Sequence, residues 1–308
     1  MAVAREVDTS AGTRTVRAGD TDVNVLVAGR GKQTVLLMHG FGDSINTWQR
    51  VIPSLAQRNR ILALDLPGFG DSGPVMERPL IEGYARTVAE LLRLLAPGVR
   101  VTLIGNSLGG AVALQLALDS PELVQRLVLV DCAGLGRGVP LWWRLVTLNV
   151  QPARVALTGL RVVPPRLVEG VAGIIYERLA FRHPGRVDGR IIRGFARHYQ
   201  SLRDVDDVLN IGHDMVRELM SAELLQRAAG LDVPTLVLWG RNDRLVPVSH
   251  GETLAHVLKR GTLSVVEDCG HCPQLERPEM FLEAVAPFLA EGASAVVRPA
   301  ASDASGAS

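Results

Sequence analysis

Val101-Thr-Leu-Ile-Gly105-Asn106-Ser107-Leu108-Gly109-Gly110-Ala-Val-Ala-Leu114 joins a short apolar run to a helical pattern through Gly-x-Ser-x-Gly. The run is unbroken in its apolar character, which suits a strand buried on both faces. Gly105 and Gly109 flank the serine where side chains would collide, and Gly110 lets the helix approach the sheet. A free hydroxyl is a poor nucleophile near neutral pH. At a sharp strand-to-helix turn it stands where a base reaches it and where fixed N–H groups meet a developing oxyanion.

Working outward, the same rhythm continues. Apolar runs occur at 22–27, 34–38, 60–64, 101–104, 126–130, 235–239 and 263–266, alternating with helical patterns at about 46–57, 80–95, 108–118, 250–259 and 277–289. Runs buried on both faces predict an α/β fold with a doubly wound, mostly parallel sheet of about eight strands. The ligand site of such a sheet lies beyond the carboxyl ends of its strands. The rhythm breaks between about Gly134 and Leu231, where Leu141, Trp142, Trp143, Leu145, Val146 and Leu148 open a helix-rich stretch interrupted by Pro152, Pro164, Pro165 and Pro184. The expected organisation is an N-terminal extension (1–14), a core (15–133 and 232–290), an inserted helical lid (134–231) and a disordered tail of small polar residues (291–308).

A serine nucleophile needs an imidazole, and the imidazole needs a carboxylate to fix its tautomer. Asp243, in Gly240-Arg-Asn-Asp243, follows the run at 235–239; His271, in Glu267-Asp-Cys-Gly-His271, follows the run at 263–266. Both stand where strands are expected to end. The order Ser107, Asp243, His271 is that of the strand–elbow–helix hydrolases.

On these residues the chain, over roughly 15–290, resembles the α/β-hydrolase fold superfamily. His39-Gly40-Phe41-Gly42 is similar to the family's oxyanion loop, which implies that the backbone N–H groups of Phe41 and Leu108 hold the oxyanion, with Gly40 in the loop and His39 bracing it from behind. Asp65-Leu-Pro-Gly68-Phe-Gly70-Asp-Ser72 is similar to the family's Asp-x-Pro-Gly-x-Gly-x-Ser turn, where Asp65 ties the turn. Asp131, after the run at 126–130, is a rival for the acid because some members place it there; Asp243 is preferred for its Gly-Arg-Asn-Asp setting. Asp268, close to His271, reads as a surface carboxylate.

Serine at the elbow, where the family's epoxide hydrolases and dehalogenases carry aspartate, implies acyl transfer through an acyl-enzyme. The resemblance implies a carboxylic ester hydrolase for a small or medium, largely apolar ester. Trp142 and Trp143 of the lid suit an apolar acyl chain, and equally suit packing of the lid onto the core. Asn106 before the serine resembles the elbow of hydrolases that cleave carbon–carbon bonds in ring-fission diketones, the runner-up. A ligand-binding protein on a hydrolase fold is the alternative of another class.

The 308 residues are 47% hydrophobic and 21% charged, with a net charge of +1, which gives no reason to expect nucleic acid as a partner. No apolar run reaches the roughly 18 residues of a membrane span. Three cysteines and an N-terminus without an apolar leader pattern predict a cytoplasmic protein, and assembly into a homo-oligomer stays open. Cys269-Gly-His271-Cys272 has thioredoxin-like spacing, but too little chain follows for that fold, and with Cys132 it makes a poor zinc set. No metal or cofactor is expected. One redox idea survives, that oxidising Cys269 and Cys272 distorts the loop carrying His271.

Overall fold

The computed structural model describes residues 12–75, 77–136 and 163–290, leaving aside the side chain of Arg217. Eight strands form one sheet: β1 (Thr13–Ala18), β2 (Thr21–Ala28), β3 (Gln33–Met38), β4 (Asn59–Leu64), β5 (Val101–Asn106), β6 (Val124–Val130), β7 (Thr235–Gly240) and β8 (Gly261–Val266). Their spatial order is β1-β2-β4-β3-β5-β6-β7-β8. The pairings from β4 through β8 are parallel, whereas β1 and β2 extend the sheet antiparallel. β1 escapes the sequence reading because it is an edge strand whose residues alternate between exposed and half-buried, without an apolar run.

The inner strands are covered on both faces, as their composition requires. Leu36 and Met38 of β3 point to one core, with α2 (Leu80–Leu95), α3 (Leu108–Asp119) and α8 (Val248–Val257). Val35 and Leu37 point to the other, with α1 (Ile52–Leu55) and α10 (Pro278–Ala290). Each fully buried Leu, Ile or Val contributes about 1.5–3 kcal/mol relative to exposure. The helix expected over 46–57 is instead a single 3-10 turn (Ile45–Trp48) followed by α1, because Pro53 supplies no N–H to continue a helix through it. Likewise the helix expected over 277–289 is preceded by the short α9 (Pro273–Glu276), with a break at Arg277 before Pro278.

Between β6 and β7 the described residues form four helices, α4 (Pro165–Ala180), α5 (Gly189–Ala196), α6 (Leu202–Leu219) and α7 (Glu223–Ala228). Trp142 and Trp143, candidates for acyl-chain contact or for packing the lid, lie outside the described residues, as do Leu141, Leu145, Val146, Leu148 and the tail 291–308. No described helix is long and apolar enough to cross a membrane.

Backbone proximity governs the turn at Ser107. A Cβ on Gly105 would sit 2.1 Å from the Gly109 carbonyl oxygen, and one on Gly109 would sit 2.3 Å from that of Met38. Neither contact yields by rotating a side chain. Gly109→Ala is therefore expected to lower the stability measured by urea unfolding by about 3 kcal/mol, whereas Gly98→Ala, where a Cβ meets open space at φ 71°, is expected to cost less.

Candidate active site

Strand order reverses between β3 and β5, and there, beyond the carboxyl ends of the strands, lies a cavity of about 720 Å³. Loops from five strands line it: residues 40–43 after β3, 106–108 at the end of β5, 133–136 after β6, 245–246 after β7 and 271–272 after β8. α4 and α6 roof it with Leu167, Val171, Ile175, Val205, Val208 and Met215.

Ser107 stands at the strand–helix junction with φ 54° and ψ −113°. Few non-glycine residues adopt this conformation. It is held from several sides: Ser107 N donates to Val130 O at 2.9 Å, Gly109 N donates to His39 O at 3.1 Å, and Ala111 N and Ala133 N both donate to Ser107 O at 3.1 Å. Leu108 begins α3, where backbone N–H groups have no acceptor within the helix. Leu108 and Phe41 border the same cavity as Ser107.

His271, 5% exposed, borders the cavity too. Its Nδ1 lies 2.6 Å from Asp243 Oδ2, and the Asp243 side chain is fully buried. Asp243 Oδ1 accepts from Leu245 N at 2.7 Å and from Val246 N at 3.1 Å, which fixes the plane of the carboxylate. Asn106 ties the serine turn to the histidine loop, its Nδ2 donating to Val130 O at 3.2 Å and to His271 O at 3.0 Å. The loops thus bring Ser107, Asp243, His271, Asn106, Phe41 and Leu108 together at one end of the sheet.

His39 lies behind the cavity. Its Nε2 accepts from Leu66 N at 2.8 Å and its Nδ1 donates to Gly40 O at 2.6 Å, so both ring nitrogens are used in bracing the loop. Asp65 ties its turn by accepting from Ile45 N at 2.7 Å, Asp71 N at 2.9 Å and Asn24 Nδ2 at 2.8 Å.

Several contributors were not legible beforehand. Tyr176 of α4 donates to Asp43 Oδ2 at 2.8 Å, and Tyr199, between α5 and α6, donates to Gly42 O at 2.7 Å, so the inserted segment grips the loop containing Phe41. Burial pushes the Asp43 carboxyl up. Glu276, 2% exposed, accepts from Gly270 N, Arg182 N and His183 N, while His271 N donates to Ala180 O at 2.7 Å. The end of α4 and the histidine loop are therefore stapled together. Asp268, expected as a plain surface carboxylate, binds Arg186 and Arg277 at 2.7 Å each and His183 at 2.5 Å. Most of these pairings span elements far apart in sequence, and no local motif announces them.

Asp131, Asp243 and His271 place a ligand atom each within 4.8 Å of one another. The 2.6 Å contact between His271 Nδ1 and Asp243 Oδ2 is that of a hydrogen bond, which engages the ring nitrogen that faces the carboxylate. Cys132, Cys269 and Cys272 are buried free thiols, each pushed up by burial, which disfavours the reactive thiolate.

Residues 35–284 match the model of the alpha/beta hydrolase family. An uncharacterized protein of Mycobacterium tuberculosis is 32% identical over 282 residues, covering 85% of this chain and 76% of that protein. A 2-hydroxymuconate semialdehyde hydrolase of Pseudomonas sp. (strain CF600) is 31% identical over 275 residues, covering 85% of this chain and 89% of that one. Among solved structures, a bacterial membrane phospholipase A superposes with a TM-score of 0.73 at 28% identity, over 90% of this chain and 85% of that one.

Two outcomes follow from the geometry. Cys269 and Cys272 are expected to resist iodoacetamide at pH 7 in the native protein and to react once it is denatured, read by mass spectrometry. Asp268 is held below the usual carboxylate range by hydrogen bonds from Arg186 and then His183. A carboxyl depressed in the folded state stabilises fully above its unfolded value, and that stability is lost as pH falls through the folded value. Asp268→Asn is expected to melt below the parent at pH 7, with the gap narrowing as pH drops below about 4.

Proposed function

Because the chain belongs to the alpha/beta hydrolase family, we propose that it is a serine hydrolase acting through an acyl-enzyme on a largely apolar carboxylic ester. Ser107 is the nucleophile, His271 the general base and Asp243 the carboxylate that holds the imidazole. The backbone N–H groups of Phe41 and Leu108 receive the oxyanion. Attack by Ser107 Oγ on the acyl carbon transfers the hydroxyl proton to His271 Nε2. His271 passes it to the leaving alkoxide, then takes a proton from the water that attacks the acyl-enzyme and returns it to Ser107 Oγ as the acid departs. Residues 134–231 act as the lid over this chemistry and 15–133 with 232–290 as the core.

The observation carrying the ester reading is the lining of the cavity. Among the described residues it is walled mainly by apolar side chains, and neither Lys nor Arg borders it. Ring-fission substrates such as 2-hydroxymuconate semialdehyde are carboxylates, and burying a carboxylate without a cation or a set of donors is costly. An uncharged ester meets no such penalty. The volume exceeds what an acetyl group fills and lies within the range of small-molecule sites. A carbon–carbon hydrolase is the second reading, supported by Asn106 and by the relative that acts on 2-hydroxymuconate semialdehyde.

The test offers p-nitrophenyl esters of graded acyl length beside a ring-fission diketone acid. Ester cleavage that rises with acyl length beyond acetate is expected, and clear preference for the diketone overturns the ester reading. A fluorophosphonate is expected to label Ser107, and Ser107→Ala to lose at least about 10⁴-fold in kcat. A folded protein that neither labels nor cleaves any ester or diketone is a binding protein.

A further inference from the structure

Behind His271 stand two buried carboxyl groups, not one. Asp131 follows β6 with φ 45°, is wholly buried, and points oxygens into the space where Asp243 and His271 meet; one ligand atom of each of the three lies within 4.8 Å of the others. The two acids are served unequally. Asp243 receives three N–H donors, from Leu245, Val246 and His271. Asp131 receives one, from Gly240 N to Oδ1 at 2.9 Å, and its Oδ2 is buried with no partner.

Two adjacent carboxylates in a site closed to water repel each other, so such a pair retains one proton. That proton resides on the member with fewer donors to its charged form. We propose that Asp131 is a neutral carboxylic acid whose Oδ2–H donates to the Asp243 carboxylate, making Asp131 a positioning residue for the acid behind His271. This rests on Ser107, His271 and Asp243 being the reacting set, and it supplies the fourth hydrogen bond that a carboxylate can accept.

The surroundings agree. Burial first, and then the charge of Asp243, push Asp131 well up. Glu276 of α9 adds to that, and the thiols of Cys132, Cys269 and Cys272 nearby carry no positive charge that would offset it. His271 is the base within reach, and its Nδ1 is committed to Asp243. A neutral Asp131 also leaves a single net negative charge to stabilise the imidazolium as it forms.

The experiment compares Asp131→Ala with Asp131→Asn. The amide of asparagine reproduces a neutral acid, its oxygen accepting from Gly240 N–H and its NH₂ donating to Asp243. Asp131→Ala is expected to lose about tenfold in kcat with KM little changed, and Asp131→Asn to regain most of that loss with the acid limb of the kcat/KM profile unmoved. Were Asp131 ionised, Asp131→Asn would delete a negative charge beside the imidazole and shift that limb downward by about one pH unit or more, which overturns the proposal. Infrared spectra supply an arm free of turnover and of the alanine variant's folding. A carboxylic-acid C=O band at neutral pH, present in the parent and absent from Asp131→Asn, is expected; no such band in the parent overturns it. Failure of the fluorophosphonate to label Ser107 in the parent would defeat the hydrolase reading instead, while the infrared band still decides the proton on Asp131.

Discussion

The reversal of the chain at Ser107 is the constraint to which the surrounding structure answers. A residue at positive φ without glycine's freedom costs on the order of 1–3 kcal/mol, and here it persists because neighbours hold its backbone from three directions. β6 accepts its N–H, α3 and the loop after β6 both use its carbonyl, and Gly109 seats α3 directly on the end of β3. Those contacts require β3, β5 and β6 in parallel register, which in turn requires a sheet buried on both faces. The apolar runs, the glycines and the exposed hydroxyl are therefore one requirement seen at three scales.

A second layer of contacts extends from this turn to the inserted helices. Asn106, adjacent to Ser107, holds the histidine loop by a carbonyl, and that loop is held on its other side by α4 through Ala180. Glu276 gathers three backbone N–H groups from both partners. Tyr176 of α4 and Tyr199, between α5 and α6, reach to the loop after β3. The inserted segment is thus more than a cover: it fixes the loops on both sides of the cavity that it roofs.

The sheet was readable because burial on both faces writes itself as unbroken apolar runs, and seven strands fall where those runs lie. β1 wrote no such run, having one face toward water and an edge position. Ser107, Asp243 and His271 could be nominated from local context, since each follows a strand and sits in a short recognisable sequence. Asp131 was visible as a competitor but not as a neighbour, because its meeting with Asp243 depends on β6 and β7 lying side by side. Tyr176, Tyr199, Glu276 and the partners of Asp268 were beyond local reading altogether. Most of their roles arise between elements far apart in the chain, and a tyrosine carries no mark of the carboxylate or carbonyl it will meet. The split of the helix expected at 46–57 has a plainer source, as apolar periodicity continues through Pro53 while hydrogen bonding does not.

The bond from His271 N–H to the Ala180 carbonyl carries an evolutionary consequence. The helical insertion is a natural module for recombination, since it lies between two neighbouring strands, β6 and β7. This insertion, however, contributes a main-chain acceptor and two main-chain N–H groups to the loop that carries the imidazole. None of the three depends on side-chain identity. At this seam a replacement segment can therefore vary its side chains at 180 and 182 while conserving the path of its backbone, so the inheritable unit here is a shape and not a motif.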